Sequence, residues 1–250
     1  MPPHGQVAVV TAAAQGVGRA IALRLASDGL EVLVTDLFSR GEDLKALALE
    51  IQSKGRACIA VTGELSEEQD VGNLIEIAVR ELGSVDIMVV NDGIGPSGPI
   101  VSMNAEEWDQ VIKFNLRSVF LCYRAAAKQM IKQGRGGRIV AASSISGKQG
   151  ASEFSAYSTS KFGIRGLTQS AAGEWRPHGI TVNTYAPGAV DVPRFHEAKK
   201  EQEDKDPQMQ VNYPVVSPAD IGGLVSYLVS EEAKFVTGQS YGINGGMNFD

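Results

Sequence analysis

The sequence predicts a doubly wound α/β fold, one parallel sheet with helices on both faces. Three observations carry this expectation. Short β-branched runs alternate with longer amphipathic ones along the chain. Runs such as Val7–Val10 are apolar at every position, as strands covered on both faces require. The stretches between runs are long enough for helices, and alternation of that length implies right-handed crossovers between parallel strands.

In chain order, strands are expected at Val7–Thr11, Glu31–Asp36, Ala57–Val61, Ile87–Asn91, Arg138–Ser143, Thr181–Ala186 and Ser240–Ile243. Amphipathic spacing places helices at Gly16–Asp28, Glu42–Lys54, Glu67–Glu81, Ala105–Gln133 with a break near Phe114, Ser155–Arg176 and Pro218–Ser230. No linker, repeat or low-complexity stretch interrupts the pattern, so residues 1–250 read as a single domain. One segment departs from the rhythm. Between Pro187-Gly188 and Pro218 no strand is expected, and a charged stretch from His196 to Asp206 lies between Pro193 and Pro207. An ordinary solvated helix accounts for the charges, but the position after a strand's carboxyl end favours a substrate lid over residues 189–213.

Composition narrows the function. The 43% apolar content supplies a sizeable core, and a net charge of -6 opposes nucleic acid or an anionic membrane as partner. The basic cluster Lys128, Lys132, Arg135 and Arg138 is better read as cations at a helix C-terminus, with Gly134, Gly136 and Gly137 marking the end. Cys58 and Cys122 sit in apolar stretches, which favours buried free thiols over a disulfide. His4, His178 and His196 lack metal-ligand spacing, so no metal is expected. Met1 to Gln6 is polar and no apolar run is long enough to span a membrane, so a cytoplasmic protein is expected.

Three motifs carry chemistry. Thr11-Ala12-Ala13-Ala14-Gln15-Gly16-Val17-Gly18 follows the first strand and opens the first helix, the context of a dinucleotide-binding turn. Gly16 would admit a pyrophosphate to the helix N-terminus and Gly18 would allow close helix–strand packing, although glycines also mark plain turns. Asp36 closes the second strand, where a carboxylate accepts both ribose hydroxyls and repels a 2′-phosphate; a simple cap is the competing reading, and Arg40 is a nearby phosphate ligand in reserve. Tyr157 and Lys161 stand four apart in a helix and so share a face, where the ammonium favours the phenolate. Such a pair also arises by chance.

With these motifs in order, the chain resembles the short-chain dehydrogenase/reductase family from Val7 to Phe249. Further matches are Val90-Asn91-Asp92-Gly93 after the fourth strand and Phe114-Asn115-Leu116. Ser144 stands thirteen residues before Tyr157, and Pro187-Gly188 follows the sixth strand. The last matching stretch runs from Thr237-Gly238-Gln239 to Ile243-Asn244-Gly245-Gly246. The resemblance implies a Rossmann-type sheet and hydride transfer between NAD(H), preferred over NADP(H), and a small ketone or secondary alcohol. By the same resemblance Tyr157 is the acid/base and Ser144 holds the substrate oxygen. Lys161 binds the nicotinamide ribose and lowers the Tyr157 pKa. Asn115 positions a water that links Lys161 to solvent. Ser143 is a neighbouring competitor for the Ser144 role, which the spacing to Tyr157 decides. The implied cofactor contacts are Gln15, Gly16, Val17, Gly18, Asp36, Leu37, Glu64, Leu65, Asn91, Gly93, Tyr157, Lys161, Pro187, Gly188 and Val190.

Four positions depart from the family. Ala12 replaces the first turn glycine, which costs ~1 kcal/mol if its φ is positive. Asp92 stands where the family has alanine, an extra carboxylate by the cofactor ribose that is unfavourable unless paired. Glu64 replaces an aspartate that meets the adenine, and Val192 replaces a threonine near the carboxamide. Within the family the chain looks most like diacetyl/acetoin reductases and butanediol dehydrogenases, with polyol and sugar-alcohol dehydrogenases near competitors. A 3-oxoacyl-carrier-protein reductase would want NADP and a basic dock, which Asp36 and the charge of -6 disfavour. A cofactor-binding regulatory pseudoenzyme is opposed by intact Ser144, Tyr157 and Lys161. A homotetramer is expected. One interface would use helices Asn115–Gln133 and Ser155–Arg176, with small residues such as Ala125, Ala126, Ala127, Ala156, Gly163, Gly166, Ala171 and Ala172; packing inside one subunit is the competing use. A second would use Pro218–Ser230, the last strand and Met247-Asn248-Phe249.

Overall fold

The computed structural model describes residues 5–193, 195–197, 200 and 214–249. Seven parallel strands form the sheet: β1 (Val7–Val10), β2 (Glu31–Asp36), β3 (Cys58–Thr62), β4 (Ile87–Val90), β5 (Gly137–Ala142), β6 (Ile180–Pro187) and, last in the chain, β9 (Ser240–Ile243). Their spatial order is β3-β2-β1-β4-β5-β6-β9. Order therefore reverses between β1 and β4, and a crevice opens at their carboxyl ends, where open α/β sheets bind ligands.

The all-apolar strands explain the two-faced core. Successive side chains point to opposite faces. Val7, Val9, Met88, Val90, Ile139 and Ala141 join one cluster, while Ala8, Val10, Ile87, Val89, Val140 and Ala142 join the other. Helices α3 (Glu68–Leu82), α5 (Ser118–Gln133) and α6 (Ser155–Trp175) cover the first face. The second is covered by α1 (Gly16–Ser27), α2 (Gly41–Ser53) and α7 (Pro218–Val229). Both Cys58 and Cys122 are buried free thiols. Helix α5 ends at Gly134, with a left-handed φ of 70°; Arg135 beyond it pairs with Asp86 and Arg138 with Glu231, so the basic cluster is partly neutralised within the fold.

The break near Phe114 is a π-helical turn, Lys113–Arg117, between α4 (Ala105–Ile112) and α5. Helix α4 itself starts on a capping box in which Asn104 and Glu107 bond each other's backbone amides. One expectation is corrected. The region between Pro187-Gly188 and Pro218 does contain strands: β7 (Ala189–Val190) pairs in parallel with β8 (Val215–Val216). Two-residue strands are too short to show alternation, so only tertiary pairing reveals them. Pro193, Phe195, His196, Glu197 and Lys200 are helical. The remainder of the expected lid and of the charged stretch lies outside the described residues. Among the described residues no helix is long and apolar enough to cross a membrane.

Candidate active site

The turn after β1 is shaped by backbone conformation. Ala12 (φ 46°) and Gly16 (φ 55°) both take left-handed values, so the alanine that replaces a glycine carries real strain. At Gly18 a Cβ would overlap the Ala12 carbonyl, which confirms close packing of α1 onto the turn. Helix α1 begins without a side-chain cap and with no acidic residue in its first turn, leaving its first amides facing the crevice. Asp36, closing β2, accepts from the Ala14 amide at 3.0 Å and the Leu37 amide at 2.8 Å. The glycine cradle, the open helix N-terminus and the anchored carboxylate together fit a dinucleotide.

Ala12, Gly16 and Asp36 line a cleft of about 630 Å³ that runs from Asp36, Leu37 and Arg40 to Tyr157 and Lys161. Of the expected cofactor contacts, Gln15, Gly16, Val17, Asp36, Leu37, Asn91, Gly93, Tyr157, Lys161, Pro187 and Val190 line it. Four others are placed elsewhere. Gly18 lies beneath the turn, as described. Glu64 turns its carboxylate onto the Ser66 amide at 3.1 Å, and Leu65 is 4% exposed in the core. Gly188 packs on the C-terminal loop, where a Cβ would lie 2.8 Å from the Met247 sulfur.

At the inner end, Tyr157 and Lys161 emerge from successive turns of α6, with Nζ 5.5 Å from the phenol ring centroid. The loop after β4 crosses them closely. A Cβ at Gly93 would stand 3.0 Å from Lys161 Nζ, and one at Gly95 would stand 3.1 Å from the Tyr157 ring. A side chain at either position would press on the pair by a few tenths of an ångström. Lys161 is 2% exposed and donates to the Ala142 carbonyl at 3.0 Å; burial drives its pKa down to about 8, with Asp92 pulling the other way. Asn115 is fully buried behind the pair. Its oxygen accepts from the Ile94 amide at 2.8 Å, and its nitrogen donates to the Ile94 carbonyl at 2.7 Å and Ser160 Oγ at 3.0 Å, tying the loop to α6. The two serines also separate. Ser143 Oγ donates to the Lys161 carbonyl at 3.2 Å, bracing α6, whereas Ser144 Oγ accepts from the Ser146 amide at 3.1 Å and retains a hydroxyl proton to give.

Sequence spacing did not point to Thr11 or Tyr185. The Thr11 hydroxyl donates to Asp92 and accepts from the Asn91 amide at 2.9 Å. The fully buried Tyr185 phenol donates to the Asn91 side chain, and burial, then Asp92 and Tyr157, push its pKa up. Asp92 is 8% exposed, and burial pushes its pKa up to about 6. The one available signal was chemical, since a tyrosine and a threonine inside apolar strands must find partners. Among the described residues no group of three or more His, Cys, Asp or Glu side chains is arranged for a metal.

Comparison with known proteins agrees with this geometry. The profile of the short chain dehydrogenase family matches residues 6–203. The chain is 44% identical to a short-chain dehydrogenase/reductase of Armillaria gallica over 99% of its length and 97% of the relative's. It is 38% identical to a 3-oxoacyl-[acyl-carrier-protein] reductase of Staphylococcus aureus, covering 96% of this chain and 97% of the other. It is 35% identical to an L-2,3-butanediol dehydrogenase of Corynebacterium glutamicum, covering 98% and 99%. Profile match and full-length relatives together place this chain in the short-chain dehydrogenase/reductase family, as an NAD(P)-dependent oxidoreductase acting on CH–OH and carbonyl groups.

Proposed function

We propose that the chain is an NAD(H)-dependent dehydrogenase/reductase of small ketones and secondary alcohols, of the diketone, acyloin, diol or polyol kind. The observation that carries this reading is the two-ended cleft, with Asp36 at one end and the Tyr157–Lys161 pair at the other. Asp36 favours an unphosphorylated ribose. Arg40, the phosphate ligand in reserve, lines the same end of the cleft and sets a guanidinium nitrogen 3.4 Å from Asp43. Nicotinamide bound in the cleft supplies or accepts the hydride. Tyr157 gives its phenolic proton to the carbonyl oxygen in reduction and takes the alcohol proton in oxidation. Ser144 donates to the same oxygen and fixes its position. The Lys161 ammonium favours the Tyr157 phenolate and holds the nicotinamide ribose, while Asn115 keeps the loop on α6 and seats a water for proton exchange.

The butanediol dehydrogenase relative supports the diol class. The carrier-protein reductase relative supports the main alternative, which the net charge of -6 and Asp36 oppose. Titration of the purified protein should give tighter binding of NADH than NADPH, and equal dissociation constants would refute the cofactor preference. Turnover of diketones, polyols and acyl thioesters then separates the substrate classes.

A cytoplasmic homotetramer with a lid over residues 189–213 completes the proposal. Several small residues named for the first interface serve packing inside the subunit, since Ala126, Ala127, Ala156, Ala171 and Ala172 are buried and Gly163 abuts Leu116. Support for the interface rests instead on exposed Phe120, Ile131 and Phe162 on α5 and α6. Support for the second rests on Tyr227, Phe235 and Phe249.

A further inference from the structure

β4 is followed by a side chain that the mechanism above leaves unused. The Asp92 carboxylate is buried at the inner end of the cleft, where the resembling family carries alanine. Thr11 tethers it by a hydroxyl hydrogen bond. The titratable groups that face it come from four elements: Asp36 from β2, Lys161 from α6, Cys122 from α5 and Tyr185 from β6. Among them Lys161 alone carries a positive charge. That ammonium is itself almost wholly buried, and its hydrogen bond goes to a neutral carbonyl, that of Ala142. An ammonium so placed is unstable in its charged form without a nearby anion. Gly93, next to Asp92, keeps the chain close enough that its missing Cβ would stand 3.0 Å from Nζ.

We propose that Asp92 is a positioning residue, a counter-charge held by Thr11 that keeps Lys161 an ammonium in the cleft and so sets the alkaline limit of cofactor binding. The proposal rests on the reading of Lys161 as the ligand of the nicotinamide ribose. Burial drives Lys161 down to about 8 and Asp92 up to about 6, each opposed by the other's charge, so both are ionised together between those values. Removing the carboxylate removes the buried anion that opposes the effect of burial on Lys161, whose proton then leaves at lower pH. The Ala142 carbonyl and the Tyr157 phenol, its ring centroid 5.5 Å from Nζ, face the ammonium in wild type and variants alike. Asp36 does not replace it: its carboxylate is held at the end of β2 by the Ala14 and Leu37 amides, and Asp92 is the carboxylate that acts on Lys161.

The test is fluorescence titration of NADH into wild type, Asp92→Ala and Asp92→Asn from about pH 6 to about pH 9.5, a readout independent of turnover. Alanine restores the residue of the resembling family, and asparagine keeps the shape and a partner for Thr11. Both variants should lose affinity at lower pH than wild type, with the alkaline midpoint moved down by about one unit. An unmoved midpoint in either folded variant overturns the proposal. So does failure of both to fold, because Asp92 would then be a structural group. If neither NADH nor NADPH binds the wild type, the cofactor reading itself fails and takes this proposal with it. Binding with an unmoved midpoint defeats the counter-charge alone.

Discussion

Strand β4 runs between two buried aspartates with opposite circumstances. Asp86, at its amino end, accepts from the Val7 amide at 2.9 Å and the Ser84 hydroxyl at 2.7 Å, and from the Arg135 guanidinium at 2.9 and 2.6 Å. Asp92, beyond its carboxyl end, has the Thr11 hydroxyl, its own backbone amide and, in the same cleft, the Lys161 ammonium. Both carboxylates are less than a tenth exposed. The difference lies in the partners. A buried charge tied to a guanidinium and to neighbouring strands holds chains together; one without such an ion pair, lining a cleft, acts on the charges around it. The same asymmetry runs across the sheet, whose carboxyl end also carries the strained Ala12 and the buried Lys161.

The sharpest way to separate the two ends is to remove a reacting group at one and a structural group at the other. Tyr157→Phe should lower turnover by ~10²–10⁴-fold, the usual worth of general acid–base catalysis. Its melting temperature and cofactor dissociation constant should barely move. Steady-state kinetics on the pure variant decides this, and retained turnover would remove Tyr157 from the mechanism. Asp86→Ala should do the reverse. It leaves the Val7 amide and the Ser84 hydroxyl without their acceptor and should destabilise by ~3 kcal/mol. Urea denaturation should show a lower midpoint with an unchanged slope, and the folded fraction should keep its specific activity.

How far this contrast could be read from sequence depends on distance along the chain. Strands such as Val7–Val10 and helices such as α1 were legible because period and burial agree locally. The Tyr157–Lys161 pair and the Gly16–Gly18 turn were legible for the same reason, each lying within one helical turn or loop. The Thr11–Asp92 contact spans 81 residues and the Tyr185–Asn91 contact spans 94, so neither leaves a local pattern. Glu64 illustrates the limit from the other side. Its place in the chain matches a cofactor contact, yet a neighbouring amide captures its carboxylate, and Leu65 falls into the core. The ribbon of Ala189–Val190 with Val215–Val216 is a fourth case, since two residues carry no period.

Stability against pH sharpens the comparison further, because Asp92 acts with the opposite sign to a well-paired carboxylate. Its folded pKa of about 6 lies above the ordinary 3.8, so the folded state binds the proton more tightly than the unfolded chain. Its favourable contribution is therefore present when protonated. That contribution is lost as pH rises from 3.8 through about 6, an effect of at most ~3 kcal/mol. Asp92→Asn removes that titration, while Lys161, left without its anion, offsets part of the gain. The variant without cofactor should exceed wild type by ~1–2 kcal/mol at neutral pH, with the difference closing near pH 4. Denaturation at both pH values checks it. A loss at neutral pH comparable to that of Asp86→Ala would make the two aspartates equivalent and dissolve the contrast.

The smallest effect is expected at Ala12. Its φ of 46° costs an L-residue ~1 kcal/mol, strain that glycine would release. Glycine also gains freedom in the unfolded chain, worth ~0.4–1 kcal/mol against the fold, so most of the benefit cancels. Ala12→Gly should raise the melting temperature of the cofactor-free protein by at most ~2 °C. The surrounding geometry constrains the alternative. The Ala12 carbonyl lies against Gly18 and accepts from the Asn91 side-chain nitrogen Nδ2 at 3.5 Å, so the turn is held by packing on both sides and cannot relax to a negative φ without disturbing α1. Strain at this position is thus fixed by its neighbours rather than chosen by the alanine. A fall in melting temperature would mean that the methyl group makes contacts worth more than the strain, and the carboxyl end of the sheet would then be less stressed than its backbone suggests.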